Sequence, residues 1–225
     1  MKREKEGRLA PSSSPPTEEE FIGIYTRLYE AGAQEIISIH LSEKISDTVA
    51  IARKAASFIK DFKVTVIDSG SYGPGVALLA FAAAASISAE TPIEVILQEL
   101  AELRKNISEI LVLNEPSRVM GKEKNNALLG LLLSFKPVLQ VQDGILTLRT
   151  RVKNIQEAEE QMVRFCREKG TPSHIIITHA NMPEAAQELM QRIEKLFTGA
   201  PSIIFQSSVV PVANLSSELL GIAIC

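Results

Sequence analysis

Apolar and polar positions alternate along Ile37-Ser38-Ile39-His40-Leu41, the period of a half-buried strand. The pattern turns through Ser42, Ser46, Asp47 and Thr48 and resumes from Val49 at helical spacing. Val49, Ala52, Ala56 and Ile59 then fall on one face. A strand that delivers hydroxyls to a helix N-terminus makes a ready anion site, because the first N–H groups there lack partners. The plainer reading is that Ser46 or Asp47 simply caps the helix.

Upstream, Thr17-Glu18-Glu19-Glu20 reads as a capping box, with Pro16 placed to staple against Phe21. Phe21, Ile24, Tyr25 and Leu28 make one helical face, and Gly32 ends it. Downstream, Lys63–Ser69 is a second strand, and Gly70, Gly73, Pro74 and Gly75 form its exit loop before an Ala-rich helix over Val76–Ile87. Thr91-Pro92-Ile93-Glu94 predicts another helix start, with Thr91 as cap and Ile93, Ile96, Leu97 and Leu100 facing inward. The order of strands and helices predicts an α/β unit with parallel strands.

A second unit begins near Ile107–Leu113. Asn114–Asn126 is polar and irregular, and Ala127–Phe135 predicts a short Leu-rich helix. Asp143-Gly144 between the alternating runs Val138–Gln142 and Ile145–Arg149 predicts a hairpin with a type I′ turn. Asn154 with Glu157 starts a helix whose face is Ile155, Ala158, Met162 and Phe165, stopped by Gly170. Strands at His174–His179, Ser202–Gln206 and Leu219–Ile224 and a helix at Pro183–Phe197 complete the chain. The expected division is a flexible lead-in over 1–16, a first α/β domain over 17–106, and a second over 107–225 carrying the hairpin at 138–149.

Composition narrows the chemistry. The chain has 225 residues, 45% hydrophobic and 23% charged, as a globular protein does. Its net charge of −3 is interspersed, so no basic stripe tracks a phosphate backbone, and the absence of Trp argues against base stacking; nucleic acid is not expected as a partner. Cys166 and Cys225 build neither a disulfide framework nor a zinc site, which suits a cytoplasmic, reducing home. The N-terminus has no apolar core for a signal peptide. The uncharged stretch Ser69–Ala89 opens with glycines, and its apolar part is too short to cross a bilayer, so no transmembrane segment is expected. No catalytic, nucleotide or metal motif is present. Gly73-Pro74-Gly75 reads as a turn, and His40, His174 and His179 read as strand or rim residues. Asp68 and His179 have no constellation around them that would make an acid or base.

Taken in order, several segments resemble the DegV family. Ile39–Thr48 resembles its S-x-H-x-S-S-x-L-S-G-T, and Val66-Ile67-Asp68-Ser69 with Gly73 and Gly75 resembles its V-I-D-S and glycine loop. Leu128-Leu129-Gly130, Lys136-Pro137-Val138-Leu139 and Asp143-Gly144 are similar to its L-L-G, K-P-[IL]-L and D-G. His179-Ala180 with Pro183-Glu184-Ala185, and Leu220-Gly221-Ile222-Ala223, are similar to its later segments. The resemblance implies a two-domain DegV-like (EDD) fold with mostly parallel sheets and flanking helices. It implies a non-catalytic lipid-binding protein of bacterial type, without a cofactor. Such a protein holds one long-chain fatty acid between its domains and presents it to a fatty acid kinase subunit or domain.

Carried over by position, Ser42, Ser46 and Thr48 match the hydroxyls expected at the fatty-acid carboxylate, with Ser13 and Asn214 as further contacts. Asn214 stands where the family has His. Lys153, Arg149 and Arg151 are the candidates for its Arg, as a head-group or partner contact. Glu43 and Asp47 depart from the family's Ser and Gly and put negative charge at the expected docking point, where Asp47 could itself satisfy the helix end. The family's opening strand has no counterpart before Pro11, so the chain reads as a fragment or a shortened relative. Two readings follow: a fatty-acid carrier, or a degenerate DegV-like domain whose altered pocket serves regulation or protein interaction.

Overall fold

The computed structural model describes residues 13–115 and 135–225. The first elements are α1 (Glu18–Glu30), β1 (Glu35–His40), α2 (Thr48–Phe58), β2 (Lys63–Asp68), α3 (Pro74–Ser88) and α4 (Ile93–Asn106). After them come β3 (Ser108–Leu113), β4 (Lys136–Gln142), β5 (Ile145–Val152), α5 (Ile155–Lys169), β6 (Ile175–Ala180), α6 (Pro183–Leu196), β7 (Ser202–Gln206), α7 (Val209–Asn214) and β8 (Leu219–Ile224). Two units result. One comprises Ser14–Ile107 with the hairpin tip Gln142–Ile145; the other comprises Ser13 and the described parts of Ser108–Val141 and Leu146–Cys225.

In the first unit β1 and β2 pair in parallel, from Glu35↔Lys63 to His40↔Asp68. Alternation then sorts the side chains to two faces. Ile36 joins Phe21, Tyr25, Ala52 and Ala55 under α1 and α2, while Ile37, Ile39 and Ile67 pack with Leu79, Ala83, Ile96 and Leu100 under α3 and α4. The capping box at Thr17 forms with both bonds present, Glu20 N–H to Thr17 Oγ1 at 3.2 Å and Thr17 N–H to Glu20 Oε2 at 2.7 Å. Two sequence expectations shift here. Of the four apolar positions assigned to the inner face of α1, Phe21 and Tyr25 are buried, whereas Ile24 and Leu28 are exposed. Helix α4 begins at Ile93 behind Pro92, so Thr91 is not its cap; the Thr91 N–H instead closes the preceding turn on the Ser86 carbonyl.

The second unit is a six-stranded sheet in the order β5-β4-β3-β8-β6-β7. The α/β class holds, but its expected parallel character does not: β3 pairs antiparallel with both β4 and β8, β8 pairs antiparallel with β6, and β6–β7 is parallel. The cause is β8. All six of its residues are buried. Such an unbroken apolar run usually marks a parallel sheet, yet it says nothing about strand direction. The hairpin forms as expected, with positive φ at Asp143 (51°) and Gly144 (76°). Helix α5 is capped by Asn154, whose Oδ1 accepts the Glu157 N–H at 2.9 Å, and stops at Gly170. Helix α7 is absent from the sequence reading, because six residues with a central Pro211 carry no helical period. The expected helix over Ala127–Phe135 and the Leu128-Leu129-Gly130 segment lie, except for Phe135, outside the described residues, as do residues 1–12 of the lead-in.

Helices α5 and α6 cover one face of this sheet through Met162, Phe165, Leu189 and Ile193, which pack on Ile110, Ile177 and Ile222. On the other face Leu139, Leu111, Gly221 and Thr178 stand side by side across four strands. Gly221 makes room for its neighbours: a Cβ there would overlap Leu111 Cδ2 and sit 3.0 Å from Thr178 Cγ2. Gly221→Ala is expected to destabilise the protein by about 1–3 kcal/mol, the usual cost of overpacking, as read by urea unfolding. Cys166 is fully buried in the helix-covered core, and desolvation pushes its thiol up to about 12. At pH 8 the native protein should therefore give one thiol to Ellman's reagent, that of Cys225, and two after unfolding.

Candidate functional site

The loops that leave β1 and β2 meet at one edge of the first unit, the carboxyl ends of parallel strands where open α/β sheets bind ligands. Two parallel strands cannot be joined by a tight turn, so each exits into a loop and then a helix. The Ser42 N–H donates to the Ser71 carbonyl at 2.8 Å and the Ser69 N–H to the His40 carbonyl at 3.0 Å, which ties the loops together. Asp68, the last residue of β2, does more. Its Oδ1 accepts the N–H groups of Glu43 (3.2 Å) and Gly70 (2.9 Å), and its Oδ2 accepts Arg104 Nη2 at 2.9 Å from the end of α4. Gly70 takes the left-handed conformation (φ 64°), and a Cβ there would stand 3.3 Å from Arg104 Nη2.

The serine turn is built from local bonds. Ser42 Oγ accepts the Lys44 N–H at 3.2 Å, and the Ile45 and Ser46 N–H groups close on the Ser42 carbonyl. Ser46 Oγ accepts the Thr48 N–H at 3.3 Å and lies 2.8 Å from Thr48 Oγ1. That pair holds two hydroxyl protons and uses one internally, so one is left to give. The Ser42 hydroxyl also only accepts among the hydrogen bonds of the described residues, leaving its proton unspent. Ser42 is 1% exposed; the hairpin tip lies over it, and a Cβ on Gly144 would come within 2.5 Å of its Oγ.

The acidic departures sit differently from what their sequence positions suggest. Asp47 makes no side-chain bond to the end of α2, so it does not occupy that helix terminus. Ser46, not Asp47, accepts the first N–H there. Glu43 turns to Arg53, with Oε2 2.7 Å from Nη1.

The other sequence-derived residues lie in the second unit. Ser13 Oγ and the Asn214 side-chain amide pair at 2.8 Å, and Asn214 Nδ2 also reaches the Val210 carbonyl. Arg149 is committed within its own unit, to Gln140 Oε1 at 2.9 Å, to Glu168, and over the Phe165 ring at 5.3 Å. Arg151 and Lys153 are exposed. Among the described residues no group of acidic, His and Cys side chains could hold a metal, and no helix is long and apolar enough to cross a membrane.

Sequence reasoning missed a buried polar chain beside the turn. Tyr25 Oη lies 2.8 Å from Ser38 Oγ, which lies 2.7 Å from His40 Nε2. The His40 ring meets Phe21 edge-on at 5.2 Å. Burial raises the Tyr25 hydroxyl, with the Ser38 bond opposing, and lowers His40. The signal was available: Ser38 and His40 are two polar residues on the strand face that α1 and α2 cover.

The two units make an α/β protein whose first unit presents a hydroxyl-rich turn at a strand edge. A family model described as "Uncharacterised protein, DegV family" matches residues 1–225. The chain belongs to the DegV family. It is 30% identical to the DegV domain-containing protein lin2658 of Listeria innocua over 214 residues, 92% of this chain and 74% of that one. Its fold is similar to the structure described as fatty acid binding of a DegV family protein from Thermus thermophilus, with TM-score 0.83 and 25% identity over 99% of this chain and 81% of that one. It is also similar in fold to the Streptococcus pneumoniae fatty acid kinase (Fak) B3 protein loaded with linoleic acid, with TM-score 0.83 and 20% identity, covering 96% of this chain and 78% of that one.

Asp68→Ala removes the acceptor shared by both loops, and should cost about 1–3 kcal/mol in urea unfolding, most of it from the two backbone donors. The half-exposed Arg104 pair adds little. Hydrogen exchange at the Glu43 and Gly70 amides should accelerate in Asp68→Ala and much less in Asp68→Asn, which keeps an acceptor oxygen.

Proposed function

We propose that this protein is a non-catalytic carrier of a long-chain fatty acid, with the carboxylate bound at the turn Ser42–Thr48. The observation that carries this reading is the pair of hydroxyl protons, on Ser42 and on Ser46 or Thr48, that no acceptor among the described residues uses, in the turn that leads into α2. An ionised carboxylate only accepts hydrogen bonds, so donors without acceptors are what it requires. The helix dipole adds partial positive charge there. Within the other unit Ser13 and Asn214 form a polar pair, and the exposed Arg151 and Lys153 suit contact with a partner's acidic surface.

The relatives support the ligand class. The Thermus thermophilus protein is described as binding fatty acid and the Streptococcus pneumoniae one as loaded with linoleic acid. The latter is described as a fatty acid kinase (Fak) B3 protein, which supports a kinase as the partner that receives the bound acyl group. Energetically the acyl chain dominates. Burying each methylene is worth about 0.8 kcal/mol, so the head group has to orient the ligand more than hold it.

The alternative, a degenerate domain kept for regulation or protein interaction, rests on Glu43 and Asp47 and on Asn214 in place of the family's His. Neither acidic side chain caps α2, and Glu43 is paired outward with Arg53, which favours the carrier reading.

Mass spectrometry of a lipid extract from the purified protein should find a fatty acid, and added palmitate or oleate should raise Tm. Protein that carries no acyl chain and shows no shift with either acid would sink the carrier reading. Should Glu43→Ser with Asp47→Gly then create fatty-acid binding the parent lacks, the regulatory reading is the correct one.

A further inference from the structure

The chain Tyr25–Ser38–His40 can be read as a count of protons. Tyr25 is 2% exposed, and its hydroxyl finds Ser38 Oγ as its one partner among the described residues. Ser38 is buried as well, and its Oγ touches Tyr25 Oη and His40 Nε2. Tyr25 has one proton and Ser38 has one. If Tyr25 donates to Ser38, Ser38 donates to Nε2, and every buried O–H is used. Run in reverse, with Nε2–H donating to Ser38 and Ser38 to Tyr25, the tyrosine proton is left buried without an acceptor, which is the costly arrangement. The first order places the imidazole proton on Nδ1.

The ring's position gives that proton a use. His40 ends β1, directly across from Asp68, and its carbonyl holds the Ser69 N–H. It lies two residues before Ser42, and its ring packs on Phe21 in the first turns of α1. Nε2 is turned back along the strand to Ser38, so Nδ1–H is the ring's remaining polar group. Burial favours the uncharged imidazole, in agreement with this arrangement.

We infer that the Tyr25–Ser38 relay fixes His40 as the neutral Nδ1–H tautomer, and that this N–H is a further donor to the ligand's carboxylate, beside the hydroxyls of the serine turn. The inference rests on the carrier reading above. It makes His40 a residue that touches the ligand, and Ser38 and Tyr25 positioning residues that act through it.

Two isosteres separate this role from a structural one. The amide of Asn overlays the Nδ1 side of imidazole, and that of Gln overlays Nε2. His40→Asn keeps a donor for the head group and gives up the Ser38 bond; His40→Gln does the opposite. In palmitate titrations of the full chain, His40→Gln should bind about tenfold more weakly than the parent, the loss expected for one hydrogen bond to a charged group. His40→Asn should stay within about threefold of the parent, since its donor to that group is kept. The reverse ranking, or equal affinities with circular dichroism showing both folded, overturns the contact.

Nitrogen-15 spectra of the ring decide the relay without any ligand. The parent should show protonated Nδ1, and Ser38→Ala should move the proton to Nε2. A parent already protonated at Nε2 overturns the relay. A parent that takes up no palmitate while showing the Nδ1–H tautomer overturns the carrier reading and the contact, and leaves the tautomer assignment standing.

Discussion

The first unit depends on a single carboxylate. Parallel β1 and β2 send two loops off the same edge, and loops of this kind present backbone N–H groups that no strand or helix satisfies. Asp68 accepts one such group from each loop while Arg104 holds its other oxygen. With the loops pinned, the helix starts that follow them are pinned too. The amino ends of α2 and α3 therefore open at the edge where β1 and β2 end, and the cationic side chain that closes α4 arrives there as well. The edge thus gathers two helix amino ends and a guanidinium, before any particular ligand is considered.

What could be read from the sequence follows from how local each interaction is. The Thr17 capping box, the Asn154 cap and the Asp143-Gly144 turn each span four residues or fewer, and all three form. The hydroxyls of the serine turn are equally local and lie together. The order of the larger sheet is not local. β8, last in the chain, sits between β3 and β6, and its register is set by pairs such as Leu111↔Gly221 and Thr178↔Gly221. Nothing in an all-apolar hexapeptide specifies the partner or the direction. Arg104 belongs to the same category, since its place at Asp68 requires α3 and α4 to pack as a pair first.

Charge shows the same limit from the other side. In the sequence, Glu43 and Asp47 fall inside the serine turn and count as obstacles to an anion. In the fold, Glu43 is half-exposed and spends its charge on Arg53, and Asp47 leaves the helix end alone. A residue's sign is legible from its letter, but the direction of its side chain is not. A two-residue turn of the backbone decides whether a carboxylate competes with a ligand or merely stands beside it.

The proposed head-group site, made of hydroxyls, a helix end and a neutral imidazole, suits a carrier better than one built on a fixed countercharge. A buried cation facing a carboxylate is costly to leave unpaired when the ligand departs. Hydroxyls rotate and can find water or each other, as Ser46 and Thr48 do. In the proposed carrier, affinity resides in the burial of the ligand's own methylenes, and orientation resides in donors that cost little to vacate. That division allows tight retention along the tail and ready release at the head, which a protein that delivers its ligand must combine.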